Sequence, residues 1–174
     1  MLKHIQRFAP IAISVFAAAV FLDSLRYKFT DHPNTQEIFG RLDGWAASIG
    51  AGGLFAHTGL FSQYVIGSAE LVASALLLVG LLPGLVRLNA LGAAIGLAVM
   101  TGAVSFHLFT PLGIDPNNDG GGLFAAAVTI WVSSIVLLFL RRAEIGALLG
   151  DITRAFVPNA AATQTRSSLE GARA

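Results

Sequence analysis

Four ionisable side chains lie inside or at the ends of strongly apolar stretches of this sequence: Asp23, Arg26, Glu70 and His107. An unpaired carboxylate is costly in hydrocarbon, so Glu70 must be protonated, paired with a cation or placed beside water. An imidazole such as that of His107 can take up or release a proton near neutral pH. If the chain brings these groups together, they can exchange protons with a bound small molecule.

The composition indicates that these residues belong to a membrane protein. Of the 174 residues, 55% are hydrophobic and only 12% are charged, whereas soluble domains carry roughly 25% charged residues. The absence of cysteine excludes disulfides, iron–sulfur clusters, thiolate zinc sites and a cysteine redox relay. The net charge of +1, without a long basic run, gives no electrostatic footprint for nucleic-acid binding.

Four apolar segments are long enough to be predicted as transmembrane helices, and residues 88–114 contain no Asp, Glu, Lys or Arg at all. The predicted spans are 8–29, 64–82, 88–110 and 123–140. We therefore expect an all-α fold, an integral membrane four-helix bundle in residues 1–145, followed by a tail (146–174) that is first amphipathic and then disordered. The alternative for the first segment is a signal peptide, but no turn signal follows it.

Small residues recur at helical spacing and predict which faces lie inside the bundle, because they let helices approach closely in lipid. On the second span the face consists of Gly67, Glu70 and Ser74. On the third it consists of Asn89, Gly92, Gly96, Ala103 and His107. On the fourth it consists of Gly122, Ala126, Thr129 and Ser133.

The long first connection carries weaker signals. Thr35 is predicted to cap a short helix that ends at Leu42, and Trp45 is predicted to be an interface anchor. Residues 50–60 are apolar but broken by glycines, which indicates a re-entrant or an interfacial segment and leaves the position of His57 undefined.

The distribution of basic residues predicts the orientation, since Lys and Arg concentrate on the cytoplasmic side. They occur before the first span, in the middle connection and after the fourth span, at Lys3, Arg7, Arg87, Arg141, Arg142 and Arg154. Both termini are therefore predicted to be cytoplasmic. At a rise of about 1.5 Å per residue, Asp23, Arg26, Glu70 and His107 then lie at one depth in the outer half of the membrane.

Each candidate residue also has a structural interpretation. Arg26 and Lys28 can extend from a helix end to the membrane surface, and Asp23 can pair with Arg26 one turn away. Glu70 can be tied to Arg26 by an ion pair. His107 can be a hydrogen-bonded core residue.

A fragment in the last connection matches part of a calcium-binding loop. Asp115, Asn117, Asp119 and Gly120 match positions 1, 3, 5 and 6 of an EF-hand, but the position of the bidentate glutamate is occupied by Ala126. The fragment is therefore predicted to be an extracellular turn, and no metal site is predicted.

Four short stretches resemble the DoxX-like family of small four-helix bacterial membrane proteins. They are residues 23–29, 67–71, 78–82 and 102–108, within a similarity that extends over about residues 8–142. The resemblance implies a location in the bacterial cytoplasmic (inner) membrane. Some members are linked to quinone-coupled sulfur oxidation or to oxidative-stress complexes. Lys28 and Glu70 match polar positions of the family.

Three functions remain open from the sequence. The first is a redox-associated membrane protein with a quinone or small-molecule site in the outer half of the bundle, made by Asp23, Arg26, Lys28, Glu70 and His107. The second is a non-enzymatic subunit of a membrane complex, and the third is a small proton-coupled transporter. The expected partners are the lipid bilayer and a membrane or peripheral redox protein, and the chain can also form an oligomer.

Overall fold

The computed structural model describes residues 2–156, and within that range every regular secondary-structure element is an α-helix. The helices are α1 (Leu2–Lys28), α2 (Pro33–Ser48), α3 (Gln63–Val79), α4 (Val86–Phe109), α5 (Gly122–Leu140) and α6 (Arg142–Phe156). The expected all-α class is confirmed. The predicted disordered end of the tail, residues 157–174, lies outside the described residues.

Four of these helices, α1, α3, α4 and α5, pack against one another. Helix α4 contacts α3 and α5, and α1 contacts the same two helices from the other side. Their shared core contains Phe21, Leu77, Met100, Ile130 and Leu137. The opposite faces expose large apolar side chains, such as Phe16, Val72, Val132 and Phe139. An exposed apolar shell of this kind is suited to lipid rather than water.

Three of the packed helices are long and apolar enough to cross a membrane: Phe8–Lys28, Val86–Phe109 and Gly122–Leu140. They correspond to the predicted spans 8–29, 88–110 and 123–140, with small shifts at their ends. These helices, together with the exposed apolar shell, suggest a membrane protein in contact with a lipid bilayer.

Helix α3 is shorter than the predicted span 64–82. It has 17 residues, which corresponds to about 26 Å, and it ends at Val79 with Gly80 as its C-cap. A Cβ atom on Gly80 would lie 2.1 Å from the backbone nitrogen of Asn89. The chain therefore turns immediately against α4, and this close approach ends the helix before Leu82.

The predicted buried faces are confirmed on α3 and α4 but wrong on α5. Helix α5 buries Ala127, Ile130, Ser134 and Leu137, whereas Thr129 of the predicted face is exposed. The Thr129 hydroxyl donates to the carbonyl of Ala125 in its own helix. Because that bond satisfies the hydroxyl, it can face outward and needs no neighbouring helix.

Helix α2 and residues 49–62 form a layer over one end of the four packed helices. Leu42, Ala46, Phe55 and Leu112 make a second apolar core there. The Asp43 carboxylate accepts hydrogen bonds from the backbone N–H groups of Gly53 (2.9 Å) and Phe55 (3.1 Å). The glycine-rich segment is therefore an irregular loop tied to α2.

The helix predicted to be capped by Thr35 and to end at Leu42 has other bounds in the structure, since α2 extends from Pro33 to Ser48. The N-cap of α2 is His32, whose ring accepts from the N–H of Asn34, and Thr35 lies inside the helix. Pro33 occupies the first helical position, where its fixed φ and missing N–H are favourable. Trp45 packs against Phe106 at a ring distance of 6.3 Å.

Helix α6 begins at Arg142, earlier than the amphipathic piece predicted from residue 146. An ion pair of 2.8 Å between Arg87 and Asp151 ties it to the start of α4. Leu149 and Ile152 are exposed on its surface.

Candidate functional site

A buried ion pair joins α1 to α3. The Nζ of Lys28 lies 3.0 Å from Oε2 and 3.1 Å from Oε1 of Glu70. Ser24 lies between them, since its hydroxyl accepts from Lys28 at 2.9 Å and donates to Glu70 at 2.5 Å. The side chains of Lys28 and Glu70 are only 16% and 4% exposed. The charge of Glu70 is therefore compensated inside the protein.

Local sequence explains why Lys28 reaches α3. Ser24 and Lys28 are one helical turn apart, so they lie on the same face of α1. Opposite them is Gly67, where an added Cβ would lie 3.4 Å from Cδ of Lys28 and 3.3 Å from the ring of Phe29. The missing side chain at Gly67 leaves room for the aliphatic stem of the lysine.

The predicted tie between Arg26 and Glu70 is wrong. Arg26 pairs instead with Asp23 at 3.0 Å, with side chains that are 65% and 60% exposed, and its guanidinium lies over the ring of Tyr27. Successive residues of a helix are about 100° apart, so position 26 points away from the face that carries positions 24 and 28. The expected local pairing of Asp23 with Arg26 is thus confirmed. Lys28 points inward rather than to the surface.

His107 is the second buried ionisable group at this end of the molecule. It is 6% exposed, and its Nδ1 lies 2.6 Å from the carbonyl oxygen of Gly113. Because a carbonyl only accepts, Nδ1 carries the proton of this bond. The ring also contacts Phe124 at 5.4 Å between centroids.

Lys28, Glu70 and His107 line one cavity of about 650 Å³. It lies between α1, α3, α4 and α5 and beneath α2. Its walls are mainly apolar and include Phe21, Ile38, Phe55, Met100, Phe106 and Ile130. Asp23 also lines the cavity, whereas Arg26 does not. The structure thus brings four of the five predicted site residues to one cavity.

Sequence reasoning missed Ser24, Thr35 and Asp119, which also contribute to this region. Ser24 is recognisable only by its spacing from Lys28. Thr35 is 5% exposed and comes from the covering helix α2. Asp119 comes from the loop before α5. No pattern in the sequence places Thr35 and Asp119 beside the cavity, because both lie in the segments that connect the four packed helices.

A second polar network lies outside the cavity. The Asp31 carboxylate accepts from Gln63 at 2.6 Å and from the Tyr64 hydroxyl at 2.7 Å. Nε2 of His57 lies 3.0 Å from the Tyr64 oxygen and 3.6 Å from Asp31. The pKa of Asp31 is held below its ordinary value, mainly by the hydrogen bond that the Tyr64 hydroxyl donates to its carboxylate. This network fastens the loop that contains His57 to the ends of α1 and α3.

A third polar cluster lies near the other end of the four packed helices and is self-contained. The Asn89 amide is fully buried and donates to the Ser14 hydroxyl at 2.8 Å and to the carbonyl of Leu77 at 2.9 Å. Its oxygen accepts from Nε of Arg141 at 3.0 Å. Both polar atoms of the Asn89 amide are therefore satisfied by protein partners, and the amide connects the helices at this end.

The calcium-like fragment forms a capping turn. Asp119 accepts from the N–H groups of Gly121 at 3.0 Å and Leu123 at 2.8 Å, and its own N–H donates to Asp115 at 2.7 Å. The bond from Leu123 is the main cause that lowers the pKa of Asp119. Among residues 2–156, no group of three or more His, Cys, Asp or Glu side chains could hold a metal ion.

No family model, curated protein or solved structure matches this chain.

Proposed function

We propose that this chain is a DoxX-like integral membrane protein that takes part in redox chemistry by binding a small lipophilic molecule, such as a quinone, in the cavity. The observation that supports this most directly is the buried Lys28–Glu70 pair on the wall of a mainly apolar space. His107 faces the same space from α4. The chain is not proposed to catalyse a reaction by itself.

The size and chemistry of the cavity support a ligand of this kind. Small-molecule sites usually have volumes of about 300–1,000 Å³, with apolar walls and few polar groups. The aromatic and aliphatic walls suit a ring and part of an apolar tail. Lys28, Ser24 and Glu70 form a polar region on one wall, and His107 supplies a polar group on another.

In the proposed membrane arrangement, α1, α3, α4 and α5 form a four-helix transmembrane bundle with both termini in the cytoplasm. The hydrocarbon core is about 30 Å thick, and α3 spans it with the help of local thinning and the apolar residues Leu81 and Leu82 beyond its end. The cavity then lies in the outer half of the bacterial inner membrane.

Because the sequence has no cysteine, single cysteines report the orientation. We expect Asn118→Cys to react with an impermeant maleimide added to intact cells, and Thr153→Cys to react only after the membrane is opened. The reverse pattern would contradict the proposed orientation.

Binding is tested by titrating decylubiquinone onto the purified protein in detergent. We expect saturable binding that is weakened about tenfold or more in Glu70→Gln, since loss of the anion disturbs Lys28 and Ser24 together. Glu37→Gln is the matched control, because Glu37 pairs with Arg41 on the exposed surface of α2. Absence of saturable binding, or equal binding by both variants, would contradict the proposal.

A second candidate is a non-enzymatic subunit of a membrane complex. It is supported by the fact that Glu70, Lys28 and Ser24 satisfy one another without a ligand. Copurification of a partner protein, together with no ligand binding, would favour this candidate.

A proton-coupled transporter has less support, since transporter sites are typically formed by discontinuous helices, whereas each of the four packed helices is continuous.

A further inference from the structure

We propose that the cavity binds the hydroxyl form of a lipophilic ring compound, a phenol or quinol, in preference to the carbonyl form, and that Nε2 of His107 accepts the hydrogen bond from the ligand hydroxyl. This inference rests on the proposed function, because it specifies the ligand class of the same cavity.

The tautomer of His107 is the first argument. The bond to the Gly113 carbonyl, at 2.6 Å, requires the proton on Nδ1. In the neutral ring the other nitrogen is then an acceptor. A hydroxyl can donate to this nitrogen, whereas a carbonyl presents a second acceptor and cannot.

The second argument is that Nε2 is left without a partner. Among the side chains that the structure describes, no fully buried nitrogen or oxygen lacks a hydrogen bond. His107 is 6% exposed, and the bond from its ring to protein is made by Nδ1. Nε2 therefore reaches open space, and the open space beside His107 is the cavity. Nε2 of His107 is thus a free hydrogen-bond acceptor in an apolar cavity, and it can accept a hydrogen bond from a ligand hydroxyl.

The third argument is that the strongest donor on the opposite wall is already engaged. Nζ of Lys28 lies 2.9 Å from Ser24 and 3.0 and 3.1 Å from the two oxygens of Glu70. Two of the three ammonium hydrogens are used in the hydrogen bonds to Ser24 and Oε1 of Glu70, and the ion-pair contact with Oε2 occupies a further side of the ammonium group. A ligand carbonyl would have to compete with these three oxygens for the ammonium group, whereas a ligand hydroxyl meets an unoccupied acceptor at His107.

The test compares three matched ligands on the full chain in detergent at mildly alkaline pH: para-nonylphenol, its methyl ether para-nonylanisole, and para-nonylbenzaldehyde. One hydrogen bond corresponds to a difference of about threefold to tenfold in Kd. We expect the phenol to bind more tightly than the ether and the aldehyde by this factor.

Two variants test whether the preference for the phenol over the ether depends on Nε2 of His107. His107→Asn keeps a short donor for Gly113 but has no acceptor at the position of Nε2, so we expect the phenol-to-ether ratio to fall to about one. His57→Asn is the matched control, because His57 lies outside the cavity beside Tyr64, and its ratio should equal that of the unmodified chain.

A spectroscopic measurement keeps the test valid if His107→Asn does not fold. In protein labelled with 15N-histidine, the Nε2 resonance of His107 should shift on addition of the phenol and not on addition of the ether. Equal Kd values for all three compounds, or tighter binding of the aldehyde, would overturn the hydroxyl preference while leaving ligand binding in place. Failure of these compounds and of decylubiquinone to bind would remove the proposed function as well.

Discussion

Replacing Lys28 by methionine removes the cation beside Glu70 and leaves a similar volume of side chain. The Glu70 side chain is only 4% exposed, and after this change only the Ser24 hydroxyl still donates to it. Removing one partner of a buried ion pair costs about 3–5 kcal/mol. We expect Lys28→Met to lower the free energy of unfolding by about 3 kcal/mol. This value is at the lower end of the range because the pair lies beside a cavity.

Glu70→Met leaves the lysine instead, which is 16% exposed and can turn partly toward water. We expect a loss of about 2 kcal/mol. The double variant leaves no orphaned charge, and its cost is mainly the unpaired Ser24 hydroxyl, so its loss should also be about 2 kcal/mol. The effects of the two substitutions should therefore be non-additive, with a coupling energy of about 3 kcal/mol.

The assay is unfolding in detergent followed by circular dichroism, in which a loss of 3 kcal/mol lowers Tm by about 6–12 °C for a chain of this size. The matched control is the exposed pair of Glu37 and Arg41, whose side chains are 51% and 45% exposed. Its coupling energy should be only about 0.3–0.5 kcal/mol. Additive losses for Lys28 and Glu70, within about 0.5 kcal/mol, would show that the two side chains do not interact as the structure indicates.

Three further predictions concern other parts of the fold. Gly80→Ala should destabilise the protein by about 1–3 kcal/mol, because its Cβ would lie 2.1 Å from the backbone nitrogen of Asn89; denaturant unfolding measures this. Asn89→Ala should cost about 3 kcal/mol in the same assay, since it leaves its buried partners without hydrogen bonds. Tyr64→Phe should raise the pKa of Asp31, which the Tyr64 hydroxyl holds below the ordinary 3.8, in a 13C titration of the carboxylate. Because the folded-state pKa is the lower one, the stabilisation from Asp31 is present above the ordinary pKa and is lost as the pH falls through the folded value.

The Gly80 prediction has a control within the chain, and each of the three predictions has a result that would contradict it. Gly44 lies inside α2 with no atom within 4 Å of an added Cβ, so Gly44→Ala should be neutral or stabilise by up to about 1 kcal/mol. If Gly80→Ala behaved in the same way, the close α3–α4 turn would be refuted. An unchanged pKa of Asp31 in Tyr64→Phe would show that the tyrosine does not donate to it. A loss below about 1 kcal/mol for Asn89→Ala would mean that water replaces its bonds.

Features that depend on local chain geometry could be predicted from the sequence. The pairing of Asp23 with Arg26 needs only one helical turn, and the burial of Glu70 follows from the small residues beside it on α3. The α4 face with His107 was found in the same way. Each of these features involves a polar or small residue that interrupts an apolar run. Such a residue indicates which face of the helix packs against its neighbours.

The buried face of α5 could not be predicted in this way. In lipid, both the outer and the inner face of a span are apolar, so hydrophobicity does not identify the packed face. Small and hydroxyl residues were used instead, and they failed because Thr129 satisfies its hydroxyl within its own helix. The side chains that do pack there, such as Ile130 and Leu137, resemble those exposed to the outside.

By itself, the sequence determined the all-α class, the apolar helices and the ionisable residues that hydrocarbon would make costly. Only the tertiary structure decided that Glu70 pairs with Lys28 rather than Arg26, that α2 covers the cavity, and that Gly113 fixes the proton on His107. The physical reason is that a partner is chosen by the rotation of one helix against another and by the path of a loop. Both depend on contacts between residues far apart in the chain.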